Sequence, residues 1–228
     1  MNTQINDAKQ LIDQSDALLI SASNGLSIAE GYNIFADDDN FEKYFGHFNI
    51  LYGINSLIQG VFTQIPTPDH QEFMRKVHQY LIDDYQKTEI FAMLKQIVNQ
   101  KDYFVVTSNA DTHFQLNGFD PEKIFEIEGN FDQLEMQSPQ WQKQEQRFDQ
   151  FINDYADKKV VQLELGIGSR NKLIKQPLMK AVSQLPSWNY VTLNMANEIM
   201  IAPEIKSRSI ALSGDIETTF KDLLKENK

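Results

Sequence analysis

Residues 103–111 read Tyr-Phe-Val-Val-Thr-Ser-Asn-Ala-Asp, an apolar run that ends in an asparagine and an aspartate one residue apart. A second apolar run, residues 124–130, carries Glu128 directly before a glycine. Each run predicts a buried strand with polar side chains at its carboxyl end. Open α/β sheets keep their ligand crevice at that edge, so Asn109, Asp111 and Glu128 are candidate site residues.

Apolar strands alternate with helical patterns along the chain. Strands are predicted near 17–20, 103–107, 124–128, 160–165, 189–193 and 208–212, and helices near 3–16, 70–85, 88–100, 111–118, 140–156, 171–184 and 215–226. This alternation predicts the α/β class, with a Rossmann-like parallel sheet of about six strands and helices on both faces. Residues 32–100 begin with an aromatic-rich, poorly periodic stretch and predict a helical insertion or cap, a reduced small domain. No linker rich in Pro, Gly or Ser divides residues 1–228, so a single domain is expected.

The composition excludes several functions. The chain has 228 residues and a formal net charge of −11, which disfavours a broad nucleic-acid surface. It has no cysteine, so disulfides, thiolate zinc sites, iron–sulfur clusters and cysteine nucleophiles are excluded. The 4 histidines show no metal-ligand spacing, so no metal is expected, and His113 is interpreted as a surface residue.

No targeting or membrane segment is expected. No apolar run approaches the roughly 18–20 residues that span a bilayer. The first ten residues are polar and lack the apolar core of a signal peptide. The simplest interpretation is a cytoplasmic protein that contacts no membrane.

Two turns rich in small residues follow predicted strands: Ser21-Ala22-Ser23-Asn24-Gly25-Leu26-Ser27 and Glu164-Leu165-Gly166-Ile167-Gly168-Ser169-Arg170-Asn171. Small residues let backbone N–H groups approach a pyrophosphate, and serine or asparagine can donate to ribose. Each turn alone also fits a plain strand–helix connection, with Ser169 or Asn171 as the helix cap. Two such turns in one parallel sheet favour a nucleotide ligand.

The polar residues after the second and third strands also have two interpretations. Asn109 and Asp111 can simply cap the next helix, and Glu128 can be an exposed loop carboxylate. Alternatively, the asparagine can hydrogen-bond a ribose hydroxyl or hold a water. A carboxylate beside it can take a proton from a hydroxyl.

Read in order, these blocks resemble the sirtuins, and most of all the macrodomain-linked branch called class M. The resemblance covers roughly residues 4–226. The class M turn Gly-Ala-Gly-Ala-Gly-Leu-Ser corresponds to residues 21–27 here, with departures at Ser21, Ser23 and Asn24. The class M Gln-Gly step corresponds to Glu128-Gly129. The remaining matches are Asn109, Asp111, Phe114, Gly118 and Phe119, residues 163–168, Asn171, Pro177 and residues 191–194.

The resemblance implies NAD as cofactor and cleavage of its nicotinamide bond, through an oxocarbenium-like state comparable to that of glycoside cleavage. It implies a protein ADP-ribosyltransferase whose acceptor is a lipoylated carrier related to glycine-cleavage H protein, with a macrodomain hydrolase as a further partner. An NAD glycohydrolase, or less favourably a deacylase, remains an alternative, as does a degenerate NAD or ADP-ribose-binding protein without catalysis. Most sirtuins carry a four-cysteine zinc module, which residues 131–158 would replace here.

The resemblance also assigns site residues. Asn109, Asp111 and Glu128 are expected to be catalytic, with Asp111 orienting its loop. The expected cofactor-binding residues are Ser21, Ala22, Ser23, Gly25, Ser27, Gly166, Gly168, Ser169, Asn171, Asn194 and Asp215. Ser21 and Ser23 add a Cβ near the pyrophosphate and thus crowd it or require φ < 0. Glu128 disfavours deacylation, which uses histidine as base, and desolvation is expected to raise its pKa.

Overall fold

A six-stranded, all-parallel sheet forms the centre of the computed structural model, which describes residues 2–225. The strands are β1 Ala17–Ala22, β2 Asp102–Thr107, β3 Ile124–Glu126, β4 Val160–Leu165, β5 Trp188–Asn194 and β6 Ser209–Ser213. Their order is β3-β2-β1-β4-β5-β6. The predicted α/β class and Rossmann-like sheet are confirmed. In this order the direction of strand addition reverses between β1 and β4, which is where such sheets bind ligands.

Helices cover both faces of the sheet. They are α1 Asn2–Gln14, α2 Asn24–Ala29, α3 Asp39–Tyr52, α4 Leu57–Phe62, α5 Thr67–His78, α6 Glu89–Val98, α7 His113–Leu116, α8 Pro139–Asp154, α9 Lys175–Gln184 and α10 Ile216–Leu224. Helices α1, α6 and α10 pack on one face, and α8 and α9 pack on the other. Every residue of β1 and β4 is therefore buried, as expected for strands covered on both sides. Among the described residues, no helix has the length and apolar character needed to cross a bilayer.

A helical module lies over the carboxyl edge of the sheet. It contains α3, α4, α5 and a π-helical turn at Gln79–Asp83, and it has an apolar cluster of its own around Phe45 and Phe73. Helix α6 instead packs into the sheet core through Phe91 and Leu94. The module with its own core is thus smaller than the predicted cap at 32–100.

Several element boundaries near the crevice differ from the sequence predictions. Strand β1 continues to Ala22 rather than ending at 20. Strand β3 ends at Glu126 rather than 128, because the Gly129 N–H turns back to the Glu126 carbonyl oxygen at 3.0 Å. Helix α9 begins at Lys175 rather than 171. The predicted C-terminal helix forms as Ile216–Leu224, and residue 226 lies outside the described residues.

Candidate active site at the carboxyl edge of the sheet

Two adjoining cavities lie along the carboxyl edge of the sheet. The first, of about 510 Å³, lies between the loops that follow β1, β4, β5 and β6. The second, of about 450 Å³, lies between the loops after β2 and β3 and the helical module. Asn24 lines both cavities. An elongated ligand can therefore occupy both at once.

Two glycines form the floor of the first cavity. A Cβ built on Gly25 would lie 2.5 Å from the Gly166 Cα, and Gly166 has φ +62°. The Gly25 N–H donates to the Gly166 carbonyl oxygen at 3.0 Å, so the loops after β1 and β4 touch. Only glycine permits so close an approach of the two backbones. Of the expected cofactor-binding residues, the cavity is lined by Ser23, Gly25, Gly166, Gly168, Asn194 and Asp215.

The other expected cofactor-binding residues lie elsewhere. Ser27 lines the second cavity. Ser21 and Ala22 are buried within β1, and the Ser21 hydroxyl accepts a hydrogen bond from Gln162 at 3.1 Å. The Asn171 carboxamide oxygen accepts from three backbone N–H groups at the start of α9, which is the capping alternative. The residues that line the two cavities do not include Ser21, Ala22, Ser169 or Asn171.

Of the two serine departures, only Ser23 lines the first cavity. Ser21 lies inside the sheet and makes no contact with the crevice. Ser23 has φ −146°, a conformation open to any residue, and its hydroxyl accepts from the Ser108 hydroxyl at 2.9 Å. The requirement for φ < 0 at Ser23 is therefore met.

A buried ion pair that no sequence motif predicted holds the glycine-rich loop after β4. Lys175 is fully buried and donates to Glu164 at 2.6 Å and to the Ile167 carbonyl oxygen at 3.1 Å. Asn194 donates to the same carbonyl at 2.8 Å. With this carbonyl held inward, the Gly166–Gly168 backbone is fixed along the cavity. The available signal was a charged residue, Glu164, inside a strand whose other residues are apolar except for Gln162.

Glu198 is a second residue that the sequence analysis missed. Its carboxylate accepts the Ser169 N–H at 2.8 Å, and this hydrogen bond lowers the pKa of Glu198. Glu198 and Asp215 both line the first cavity, whose described lining contains no Lys, Arg or His. This end of the crevice therefore favours hydroxyl groups over additional phosphates. No motif in the sequence marked Glu198.

Asn109 presents a free acceptor in the second cavity. Its amide nitrogen donates to the Ser27 hydroxyl at 2.9 Å and to the Ser23 carbonyl oxygen at 3.3 Å. These bonds fix the orientation of the carboxamide. Its Oδ1 is buried and has no partner among the described residues. Because a buried polar atom without a partner is unfavourable, this oxygen is suited to accept a hydrogen bond from a ligand or water.

Asp111 links this asparagine to a buried histidine. Its Oδ2 accepts from the Ser27 hydroxyl at 2.9 Å, and its Oδ1 accepts from the His113 backbone N–H at 3.0 Å. The His113 ring is 1% exposed, so its interpretation as a surface residue is wrong. Burial alone would lower the pKa of His113, but the carboxylates of Asp111 and Glu30 outweigh it, and the pKa is raised. No local sequence pattern could reveal this contact, because Glu30 and His113 are 83 residues apart.

Glu128 lines the second cavity two residues beyond the end of β3. Its side chain is solvent-exposed, yet partial burial against the cavity wall raises its pKa, in the expected direction. Nearby, the fully buried Glu126 accepts from the Asn130 amide at 2.9 Å and steadies the loop that carries Glu128. The second cavity thus offers a carboxylate of raised basicity together with the free oxygen of Asn109.

The outer wall of the second cavity is apolar. Phe62 is 78% exposed and Met136 is 55% exposed, although both are large apolar side chains. The apolar lining comprises Ile34, Ile58, Val61, Phe62, Leu81, Phe131 and Met136. An apolar wall next to a carboxylate suits an acceptor group carried on an apolar arm.

The chain is similar to known proteins in sequence and in fold. No family model matches the chain. A protein ADP-ribosyltransferase of Staphylococcus aureus (strain Mu50 / ATCC 700699) is 22% identical over 274 residues, covering 95% of this chain and 85% of that protein. A probable bifunctional ADP-ribose hydrolase/ADP-ribosyltransferase of Fusarium oxysporum f. sp. cubense is 28% identical over 131 residues, which cover 56% of this chain and 22% of that protein.

Solved structures give the fold. The crystal structure of a Sir2 homolog–NAD complex superposes with a TM-score of 0.62 at 11% identity, covering 96% of this chain and 92% of that one. A structure solved to explain sirtuin substrate affinity gives a TM-score of 0.59 at 12% identity, covering 96% and 97%. Together with the six-stranded parallel sheet, these matches show that the chain has the sirtuin fold.

Proposed function

We propose that the protein is an NAD-dependent ADP-ribosyltransferase that modifies another protein. The observation that carries this proposal is the buried, unpartnered Oδ1 of Asn109, which shares a cavity with Glu128. That cavity, the second, adjoins the first cavity, where Gly25 and Gly166 are in contact. The names of the two sequence relatives, both ADP-ribosyltransferases, support the same reaction class.

The residues of the crevice fit a dinucleotide. We assign the adenosine half to the first cavity, with Asn194, Asp215 and Glu198 near its ribose hydroxyls. Gly25 and Gly168 leave the backbone bare for the phosphates, which would pass Asn24, the residue that lines both cavities. The nicotinamide riboside half is assigned to the second cavity, beside Ser27 and Asn109. The likeness in fold to a Sir2 homolog–NAD complex supports NAD as the ligand.

When bound, NAD supplies a glycosidic bond to nicotinamide, a good leaving group, and an ADP-ribosyl group for transfer. In the proposed reaction Asn109 accepts a hydrogen bond from a ribose hydroxyl through its free oxygen. Glu128 accepts the proton of the acceptor group as that group forms its bond to the ribose and nicotinamide departs. The raised pKa of Glu128 brings its basicity closer to neutral pH, where a general base is most effective.

For the acceptor we propose a lipoylated carrier protein. A lipoyl group ends a long, largely apolar arm, and the exposed apolar side chains Phe62 and Met136 stand at the wall of the cavity that holds Glu128. A macrodomain hydrolase is the proposed partner that reverses the modification. The Fusarium relative, whose name combines an ADP-ribose hydrolase with an ADP-ribosyltransferase, supports this pairing.

The direct test incubates the protein with radiolabelled NAD and a lipoylated carrier, and follows label on protein together with free nicotinamide. The expected result is label on the lipoylated carrier and none on the same carrier without lipoate. Asn109→Ala serves as the matched control and should abolish transfer while leaving the fold intact. If neither the carrier nor any protein in a lysate becomes labelled, the proposal is contradicted.

A second candidate function is hydrolysis of NAD to ADP-ribose. The specific observation in its favour is that Glu128 is solvent-exposed, so water can reach it without an acceptor protein. Release of nicotinamide and free ADP-ribose at the same rate with and without carrier would favour this alternative. Calorimetric NAD binding without any nicotinamide release would instead indicate a binding protein.

A further inference from the structure

Both ring nitrogens of His113 face hydrogen-bond acceptors. Nε2 lies 2.9 Å from the Leu81 carbonyl oxygen, and Nδ1 forms a short hydrogen bond with the Glu30 carboxylate. A backbone carbonyl cannot donate, so Nε2 must carry a proton. The other Glu30 oxygen accepts from the hydroxyls of Tyr85 and Thr88. A neutral imidazole, with one proton, cannot satisfy both partners.

The charges around the ring favour a proton on Nδ1 as well. The groups that face His113 are Glu30 after α2, Asp111 after β2, and the rings of Tyr32 and Tyr85. Asp111 Oδ2 lies 3.6 Å from Nδ1, and the Tyr85 ring stacks on the imidazole at 3.9 Å between centroids. Two buried carboxylates without a cation between them would repel each other strongly.

The histidine connects three segments that surround the second cavity. Leu81 belongs to the π-helical turn of the helical module, and Glu30 follows α2. The Asp111 carboxylate accepts a hydrogen bond from the Ser27 hydroxyl, and this hydroxyl accepts one from the Asn109 amide nitrogen. A displacement of the ring would therefore reach the carboxamide whose oxygen is free in the cavity.

We propose that His113 is a positioning residue, held as an imidazolium, that aligns Asp111 and through it the carboxamide of Asn109. Its effect on turnover rests on the proposed function, whereas its protonation state does not. It touches neither cavity and acts only through its neighbours. A protonated histidine with a raised pKa stabilises the fold below its unfolded-state pKa, and this stabilisation is lost as pH rises through the folded-state pKa.

Nitrogen-15 NMR of the histidine side chains tests the protonation state without any activity. The chain has 4 histidines, so comparison with His113→Gln identifies the signals of His113. Both His113 nitrogens are expected to carry protons at pH 7. An unprotonated His113 nitrogen at pH 7 would overturn the proposal.

Glu30→Gln gives a second measurement if His113→Gln fails to fold. It keeps the side-chain size but removes one of the two carboxylates that favour the imidazolium. The pH at which His113 loses a proton should then fall. An unchanged titration would contradict the proposed role of the carboxylate.

Nicotinamide release tests the positioning role. In His113→Gln we expect kcat to fall by roughly tenfold to a hundredfold, the effect of leaving a buried partner unpaired, with little change in KM for NAD. The wild type should lose activity as pH rises through the pKa of His113, and the variant should lack that decline. The matched control is His47→Gln. Equal kcat and equal pH profiles in variant and wild type would refute the positioning role. A wild type that releases no nicotinamide would instead refute the proposed function, and the NMR result would still stand.

Discussion

Replacing Lys175 with methionine tests how the glycine-rich loop after β4 is held. The Lys175 ammonium is fully buried and donates to Glu164 at 2.6 Å and to the Ile167 carbonyl oxygen at 3.1 Å. Methionine fills much of the volume of the lysine stem, so the change removes the charge and both hydrogen bonds but leaves little cavity. Glu164 is left as a buried carboxylate with only the hydroxyls of Tyr190 and Thr192 as donors.

The size of the effect follows from the burial of both partners. Removing one member of a buried ion pair destabilises a protein by about 3–5 kcal/mol. For a chain of this length, with a shift of roughly 2–4 °C per kcal/mol, the melting temperature should fall by about 6–20 °C. NAD affinity should weaken as well, since the Gly166–Gly168 backbone loses one of the two donors that hold the Ile167 carbonyl.

Urea unfolding followed by circular dichroism measures the free energy of unfolding for wild type and variants. The double variant Lys175→Met/Glu164→Gln removes the lone charge. It keeps one oxygen that can accept from one of the two hydroxyls and adds an amide N–H that can donate to the other, so it should recover more than half of the loss. Lys180→Met, an exposed lysine on the same helix, is the matched control and should change stability little. A loss below about 1 kcal/mol in Lys175→Met, the size of an ordinary substitution, would refute the reasoning. So would a double variant less stable than the single one.

Three further predictions concern the crevice. Glu128→Gln should lower nicotinamide release by about 10²–10⁴ if Glu128 accepts a proton, with NAD affinity unchanged by calorimetry, whereas a pure hydrogen-bonding role would survive the change. A general base must be deprotonated, and burial raises the pKa of Glu128, so nicotinamide release by the wild type should increase as pH rises through that pKa. Unchanged turnover in both Glu128→Gln and Glu128→Ala would show that the position is not catalytic. Gly25→Ala should lose NAD binding by calorimetry, because its Cβ would lie 2.5 Å from the Gly166 backbone; wild-type affinity would contradict the close-contact argument. Glu198→Ala should reduce the preference for NAD over NADP in competition binding, because a carboxylate is lost from a cavity whose described lining has no basic side chain; an unchanged preference would exclude Glu198 as a determinant.

The fold could be predicted from the sequence because the strands are continuous apolar runs separated by helical patterns. Six runs predicted six strands, and all six form the parallel sheet. Two polar stretches after β2 and β3 predicted a crevice at their carboxyl ends, and the side chains of Asn109 and Glu128 do line one cavity there. Strand ends were less certain, since β3 stops at Glu126 where hydrogen bonding to β2 gives way to a turn at Gly129.

The direction in which individual side chains point could not be predicted from the sequence. A strand buried on both faces has no alternation of apolar and polar residues, so nothing in β1 revealed that Ser21 points into the sheet toward Gln162. For Asn171, capping a helix and binding a ligand require the same residue type, and only the fold showed three backbone N–H groups converging on its oxygen.

By itself, then, the amino-acid sequence determined the class of fold, the number of strands and the edge of the sheet at which polar residues gather, because those properties depend on local patterns. Only the tertiary structure decided which charges are buried together. His113 meets Glu30 across 83 residues, and Lys175 meets Glu164 from a different element. A buried charge is stable only beside a partner, and when the fold brings the two together the local sequence does not show which residue that partner is.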